Sequence, residues 1–212
     1  AAEKALAQFI RTASSMGVQA KDISVVATSA ARRAANAHQW FHVLTEKYGI
    51  FPVIISGEKE AELTWRGGIS GIASGDGPHM LIDLGGGSTE VIQGTEHLVT
   101  SRLSLETGSV RLTETYRLDE AFVSQQQIDA ATDAVDQLVA QVPTAFKPEM
   151  VIGVAGTVTS FAAMKLGLAT YDPGRVHGST LSLSELDTLA STLANSTPIN
   201  RRTRCPISPE RS

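Results

Sequence analysis

Met80-Leu-Ile-Asp83-Leu-Gly85-Gly86-Gly87-Ser88-Thr89-Glu90-Val91-Ile92 is a short apolar run that delivers an aspartate into three consecutive glycines, two hydroxyls and a glutamate. Three glycines in a row weaken any regular element, so the chain must turn sharply here or admit something close to its backbone. In dinucleotide-binding folds and P-loops a glycine-rich turn opens a helix. Here Val91-Ile92 continues in extended style, Gly94 interrupts it, and His97 to Leu105 reads as a further strand. The turn is therefore expected to join two strands of a hairpin. Such a turn can point several backbone N–H groups into one concavity, which suits a phosphate. Asp83 and Glu90 bracket it with carboxylates that a hard cation such as Mg²⁺ accepts. The plainer alternative is a tight hairpin with solvated acids. Three glycines, Ser-Thr and two bracketing acids together favour the functional reading.

Composition narrows the classes. The chain has 212 residues, 42% hydrophobic and 19% charged, with a formal net charge of −4. Those values fit a globular protein with a real core, in one large or two small domains. An acidic chain whose Lys and Arg form no stripe argues against nucleic acid as a partner. Cys205 is the single cysteine, which rules out an intramolecular disulfide framework and fits a reducing, cytoplasmic compartment. No apolar run approaches membrane-spanning length, and no secretory leader is visible. The chain lacks an initiator Met and starts inside a helical pattern, so it reads as a piece of a longer protein.

Working outward towards the N-terminus, Leu6, Phe9, Ile10, Ala13 and Met16 recur at helical spacing, with Gly17 placed to end the helix. Ile23 to Thr28 reads as a buried-type strand running into a small-residue turn, Ser29 to Ala34, that carries Arg32 and Arg33. Asn36 is a candidate cap for a helix from Ala37 to Tyr48, with Trp40, Phe41, Val43, Leu44 and Tyr48 mostly inward. Pro52 to Ser56 is the next strand, which gives a βαβ unit. Ser56 or Gly57 then caps a helix whose first acids, Glu58, Glu60 and Glu62, read by composition alone as dipole-favoured surface charge. Gly67 to Pro78 is glycine- and serine-rich and is taken as the border between a domain over 1–72 and a second over 73–212.

Towards the C-terminus, Thr107 to Glu114 starts a short helix, and Ser124 with Gln127 forms a capping-box pair before a long apolar stripe. Met150 to Val154 is a buried-type strand that ends in Ala155-Gly156-Thr157 at a helix start. That is a ready anion site, with a plain strand-to-helix turn weighed about equally. Tyr171 to Gly178 is a turn-rich connection in which His177 reads as a packing residue. Ser184 and Asp187 start a last helix, and the tail from Thr197 to Ser212 has no periodicity.

Four pieces in this order resemble the exopolyphosphatase / guanosine pentaphosphate phosphohydrolase family of the actin-like and sugar-kinase superfamily. They are Ala27-Thr-Ser-Ala-Ala-Arg-Arg-Ala34, Ile55-Ser-Gly-Glu-Lys-Glu-Ala-Glu-Leu63, Ile82-Asp-Leu-Gly-Gly-Gly-Ser-Thr-Glu90 and Val154-Ala-Gly-Thr-Val158. The resemblance implies an α/β fold with two ribonuclease-H-like domains, the first incomplete, and a phosphate-binding cleft between them. It implies that Glu60 activates the attacking water and that Asp83 and Glu90 hold Mg²⁺. Gly85, Gly86, Gly87 and Ser88, together with Gly156 and Thr157, would hold phosphates, and Arg32 would face the same cleft. The implied reaction releases terminal phosphate from inorganic polyphosphate. Alternatives are guanosine pentaphosphate as substrate, or a non-catalytic actin-like nucleotide- or phosphate-binding module. Two departures stand out. Lys59 replaces the motif's usual first glutamate, and the family's opening phosphate loop has no counterpart in the sequence. This stretch is accordingly expected to fold in large part but to hydrolyse little or nothing by itself, with exposed apolar edges that lead to self-association, as in a homodimer, or to a mobile tail.

Overall fold

The computed structural model describes residues 2–72, 77–120, 122–197 and 200–201. It separates into two compact units, Ala1–Glu60 and Ala61–Ser212.

The first unit contains helices α1 (Ala2–Ser15), α2 (Ser29–Arg33) and α3 (Ala37–Tyr48), strands β1 (Ser24–Ala27) and β2 (Phe51–Ile54), and the start of α4 (Gly57–Ile69). Strands β1 and β2 pair in parallel, from Ser24 opposite Phe51 to Ala27 opposite Ile54, so the βαβ unit is present. Gly17 ends the α1 region with φ +86. Its N–H bonds the Ser14 carbonyl at 3.0 Å and that of Val18 bonds Ala13 at 3.0 Å, the pairing of a left-handed helix terminus. Ile10, Phe41, Leu44 and Ile50 form the core, with Leu6, Ile23, Val25 and Ile54 packed around them.

Four local expectations change. Phe9 and Met16 are 70% and 78% exposed, because at about 100° per residue both lie a quarter-turn or more from Ile10. Val43 faces solvent as well. The Ser29–Arg33 segment is a short helix instead of a turn, its first N–H bonds running from Ala31 and Arg32 to the Thr28 carbonyl. Asn36 occupies the position before α3, but its side chain makes no capping bond.

The second unit takes in α4 from Ala61 onward, followed by β3 (His79–Leu84), β4 (Thr89–Gly94), β5 (Val99–Leu105), α5 (Ser109–Tyr116) and α6 (Gln125–Val139). It is completed by β6 (Met150–Val154), α7 (Ala155–Lys165), α8 (Pro173–Val176) and α9 (Leu183–Ala194). The sheet order is β5-β4-β3-β6. The first three strands form an antiparallel meander and β6 runs parallel to β3. A parallel neighbour needs a crossover, and the segment containing α5 and α6 supplies it. This is the α/β, ribonuclease-H-like arrangement that the resemblance implied.

Ala61 and Trp65 of α4 pack on Leu81, Ile92 and Ile152. A Cβ on Gly68 would stand 2.2 Å from Leu81 Cδ1, so that glycine lets α4 lie close to the sheet. For this reason α4 runs through Gly67 and Gly68 to Ile69, where a flexible link was expected. Residues alternate faces along a strand, and Gly153, one residue on from Ile152, faces α7. A Cβ there would lie 2.6 Å from Val158 Cγ1. The Ser124–Gln127 capping box is present. A second one, Ser182 with Glu185, caps the last helix two residues before the expected Ser184 start. Asp172 caps a one-turn helix at Pro173, within the expected turn. Among the described residues no helix is long and apolar enough to cross a membrane. Cys205 and the tail beyond Arg201 lie outside the described residues.

Candidate phosphate and metal site

In the second unit the β3–β4 register sets Asp83 directly opposite Glu90, and Ser104 on β5 opposite Glu90. Asp83, Glu90 and Ser104 therefore form one row across three strands, on the sheet face that α4 covers. Thr64 of α4 donates to Asp83 Oδ2 at 3.4 Å. Ser104 Oγ donates to Glu90 Oε1 at 2.9 Å. Glu90 is 2% exposed. Carboxylates directly opposite one another on a sheet can share one divalent cation. Mg²⁺ takes one or two carboxylates and completes its shell with water and phosphate oxygens, so this donor set fits it. Among the described residues no group of three or more His, Cys, Asp and Glu could hold a metal, so a cage built wholly from such side chains is not on offer there.

The glycine turn follows Asp83 by two residues. Gly85 N–H bonds the Ser88 carbonyl at 3.1 Å, closing the turn. Its three carbonyls all meet the start of α5. Ser109 N–H bonds Gly85 O at 3.0 Å, Arg111 N–H bonds Gly86 O at 3.0 Å, and Arg111 Nε bonds Gly87 O at 2.9 Å. Within a trans peptide plane the C=O and the following N–H point in opposite directions. Three carbonyls held towards α5 thus turn the amides of Gly86, Gly87 and Ser88 away from it, an arrangement that suits an anion. Gly108 makes the approach possible. A Cβ on it would stand 2.7 Å from Gly85 O and from Gly86 C and O.

The start of α7 lies beside this turn in the sheet. Strands β3 and β6 are adjacent and parallel, with Asp83 opposite Val154, so both chains leave the sheet at the same edge. Val154 at the N-cap makes no side-chain cap. The first amides of α7, at Ala155, Gly156 and Thr157, therefore lack the side-chain partner that usually meets a helix start, and such amides attract anions. The residue at this junction, Ala155, has left-handed backbone, φ +71. A side chain in that region is strained, the kind of outlier that clusters at functional sites.

In the first unit Arg32 Nη1 donates to Glu60 Oε2 and to the Ile55 carbonyl, both at 2.9 Å. The side chains are 24% and 16% exposed. Glu60 is thus one partner of a partly buried ion pair rather than a solvated first-turn acid. Both bonds leave from the Nη1 end of the guanidinium.

The structure thus brings Arg32 to Glu60 in one unit, and in the other Asp83 to Glu90 with the turn and the α7 start along one sheet edge. Thr64, Ser104, Gly108 and Arg111 were missed from sequence. The signal for Ser104 was its strand register. For Arg111 it was the cation three residues after Gly108. Two surface recesses of the second unit, one beside Lys165 and Glu185 and one beside Trp65, Arg66 and Arg102, contain none of the expected site residues.

The Ppx/GppA phosphatase family signature matches residues 2–211. The chain belongs to that family. Exopolyphosphatase 2 of Mycobacterium tuberculosis is 31% identical over 201 residues, which cover 91% of this chain and 62% of that protein. The bifunctional 3-dehydroquinate synthase/phosphatase of Fusobacterium nucleatum is 30% identical over 188 residues, covering 87% of this chain and 28% of that protein. The structure of an exopolyphosphatase-like protein superposes with a TM-score of 0.84 at 31% identity, covering 96% of this chain and 66% of the other. The Ppx/GppA member from Aquifex aeolicus shares the fold, with a TM-score of 0.79 at 24% identity, covering 98% of this chain and 66% of the other. This family member thus spans less than two thirds of the length of these relatives.

Proposed function

We propose that the chain carries catalytic groups of an Mg²⁺-assisted phosphoanhydride hydrolase that releases terminal phosphate from inorganic polyphosphate. The observation that carries this reading is the set of three amides, at Gly86, Gly87 and Ser88, turned to one side in the turn that links Asp83 to Glu90. The exopolyphosphatase names of two similar proteins supply the substrate class. The turn amides and the first amides of α7, at Gly156 and Thr157, bind phosphoryl oxygens, and Arg32 is a phosphate-binding arginine. Glu60 takes the proton of the attacking water while the water oxygen bonds to the terminal phosphorus and the bridging P–O bond breaks, leaving a polyphosphate one unit shorter. Asp83 and Glu90 hold Mg²⁺, which when bound neutralises phosphate charge. Catalysis of this kind rests on positioning and charge neutralisation. The lone cysteine supports a reducing, cytoplasmic setting. Phosphate release from polyphosphate, with and without Mg²⁺, tests the reading in a protein carrying this sequence. Mg²⁺-dependent release that Asp83→Asn and Glu60→Gln both suppress is expected. Release indifferent to both substitutions would refute it.

A further inference from the structure

We infer that Arg111 is a positioning residue for the phosphate turn: it holds two successive peptide planes of the glycine turn so that their amides face the anion. The inference rests on the phosphate reading of the turn given above, and deepens it. Arg111 reaches the turn by two routes. Its backbone N–H bonds Gly86 O at 3.0 Å and its Nε bonds Gly87 O at 2.9 Å. The far end of the guanidinium is held in turn by Glu106, with Nη2 to Oε2 at 2.6 Å. A planar guanidinium with both ends engaged fixes direction as well as distance.

Glycines tolerate many backbone conformations, so a turn containing three of them has no preference of its own for aligned amides. The Nε bond fixes the plane between Gly87 and Ser88. The side chain is 24% exposed and its bond to the turn ends on the Gly87 carbonyl, so it acts on the anion through the backbone. Lysine at this position would keep a cation beside Glu106 but has no planar N–H to offer Gly87 O.

The test is binding of tripolyphosphate to the chain, read from the NMR amide shifts of Gly86, Gly87 and Ser88, with thermal unfolding measured alongside. Wild type should show saturable shifts at all three amides. Arg111→Met and Arg111→Lys should each need about tenfold more tripolyphosphate, the loss expected for one oriented hydrogen bond, with the largest change at Ser88. Unchanged binding in either variant would overturn the inference, and recovery in the lysine variant would assign the effect to charge instead of orientation. The lysine variant keeps the stem and the charge, so the test stands even where Arg111→Met fails to fold. Wild-type amides that do not respond to tripolyphosphate would overturn the proposed function itself, and this inference with it.

Discussion

Replacing Gly108 by alanine should loosen the phosphate turn even though the backbone there suits any residue. Gly108 has φ −173 and ψ 168, an extended conformation, so on backbone grounds alone the alanine would gain about 0.4–1 kcal/mol by restricting the unfolded chain. Against that gain stands a collision with backbone atoms. The new Cβ would sit 2.7 Å from Gly85 O, Gly86 C and Gly86 O. Reaching an ordinary contact of about 3.4 Å requires the turn and α5 to separate by roughly 0.7 Å. The Ser109–Gly85 and Arg111–Gly86 bonds, 3.0 Å each, would then stretch beyond hydrogen-bonding length. Overpacking costs about 1–3 kcal/mol and each lost bond about 0.5–1.5 kcal/mol. A net destabilisation of about 2–4 kcal/mol is expected, with tripolyphosphate binding weakened in the same variant. Urea unfolding and a tripolyphosphate titration measure the two effects. Gly17→Ala is the control: it meets open space but has φ +86, so it should cost about 1–2 kcal/mol and leave binding alone. A stable Gly108→Ala variant that binds as well as wild type would refute the contact between turn and helix.

Saturating Mg²⁺ should raise the unfolding temperature of the chain, since at about a hundredfold excess over its dissociation constant a ligand adds about 2.7 kcal/mol. Asp83→Asn should remove that increment while unfolding stays cooperative, and an increment that survives would place the ion elsewhere. Glu60→Gln should lower Mg²⁺-dependent phosphate release by about 10²–10⁴-fold. Its stability should fall by no more than about 1 kcal/mol, the scale of a part-exposed ion pair, and a fall in stability without a fall in rate would make Glu60 structural. Glu185 is held down at about 2 by the Ser182 backbone N–H, by Lys165 and by the Ser182 hydroxyl. Its folded-state value is depressed, so its contribution is present above the unfolded value near 4.5 and is lost as pH falls towards 2. Protection of the α9 start from amide exchange, relative to the unstructured rate at the same pH, should therefore fall as pH drops between those limits, and Glu185→Gln should flatten that dependence.

The parts of the molecule legible in sequence were those set by local chemistry. The hairpin over 80–92 follows from a glycine run between apolar, β-prone flanks. The Ser124–Gln127 box follows from two side chains that satisfy each other's orphan groups. Gly17 ends its helix because left-handed backbone favours glycine, and it carries positive φ. Illegible were contacts made across long loops. Nothing near Glu60 in sequence announces Arg32, 28 residues away, and nothing near Gly87 announces Arg111, 24 residues away. Phe9 and Met16 failed for a different reason. Apolar residues at a stripe's margin resemble those at its centre until the packed face is known. The positive φ of Ala155 was hidden because residue type predicts left-handed backbone only where glycine or asparagine supplies it.

The direct opposition of Asp83 and Glu90 also limits where the gene could change in length. Side chains switch sides of a sheet at every residue, so one codon inserted between Met80 and Asp83 or between Glu90 and Ile92 would send a carboxylate through to the α7 side while leaving composition and hydropathy nearly untouched. A two-codon insertion would restore parity but displace the acid by about 7 Å along its strand. At the far end of the same hairpin pair, the Thr95–Leu98 connection between β4 and β5 carries no such constraint, and Leu98 there is 63% exposed. Indels should accordingly accumulate at that distal turn and be purged from the proximal one. Length polymorphism, rather than residue identity, would then mark which end of the sheet does chemistry.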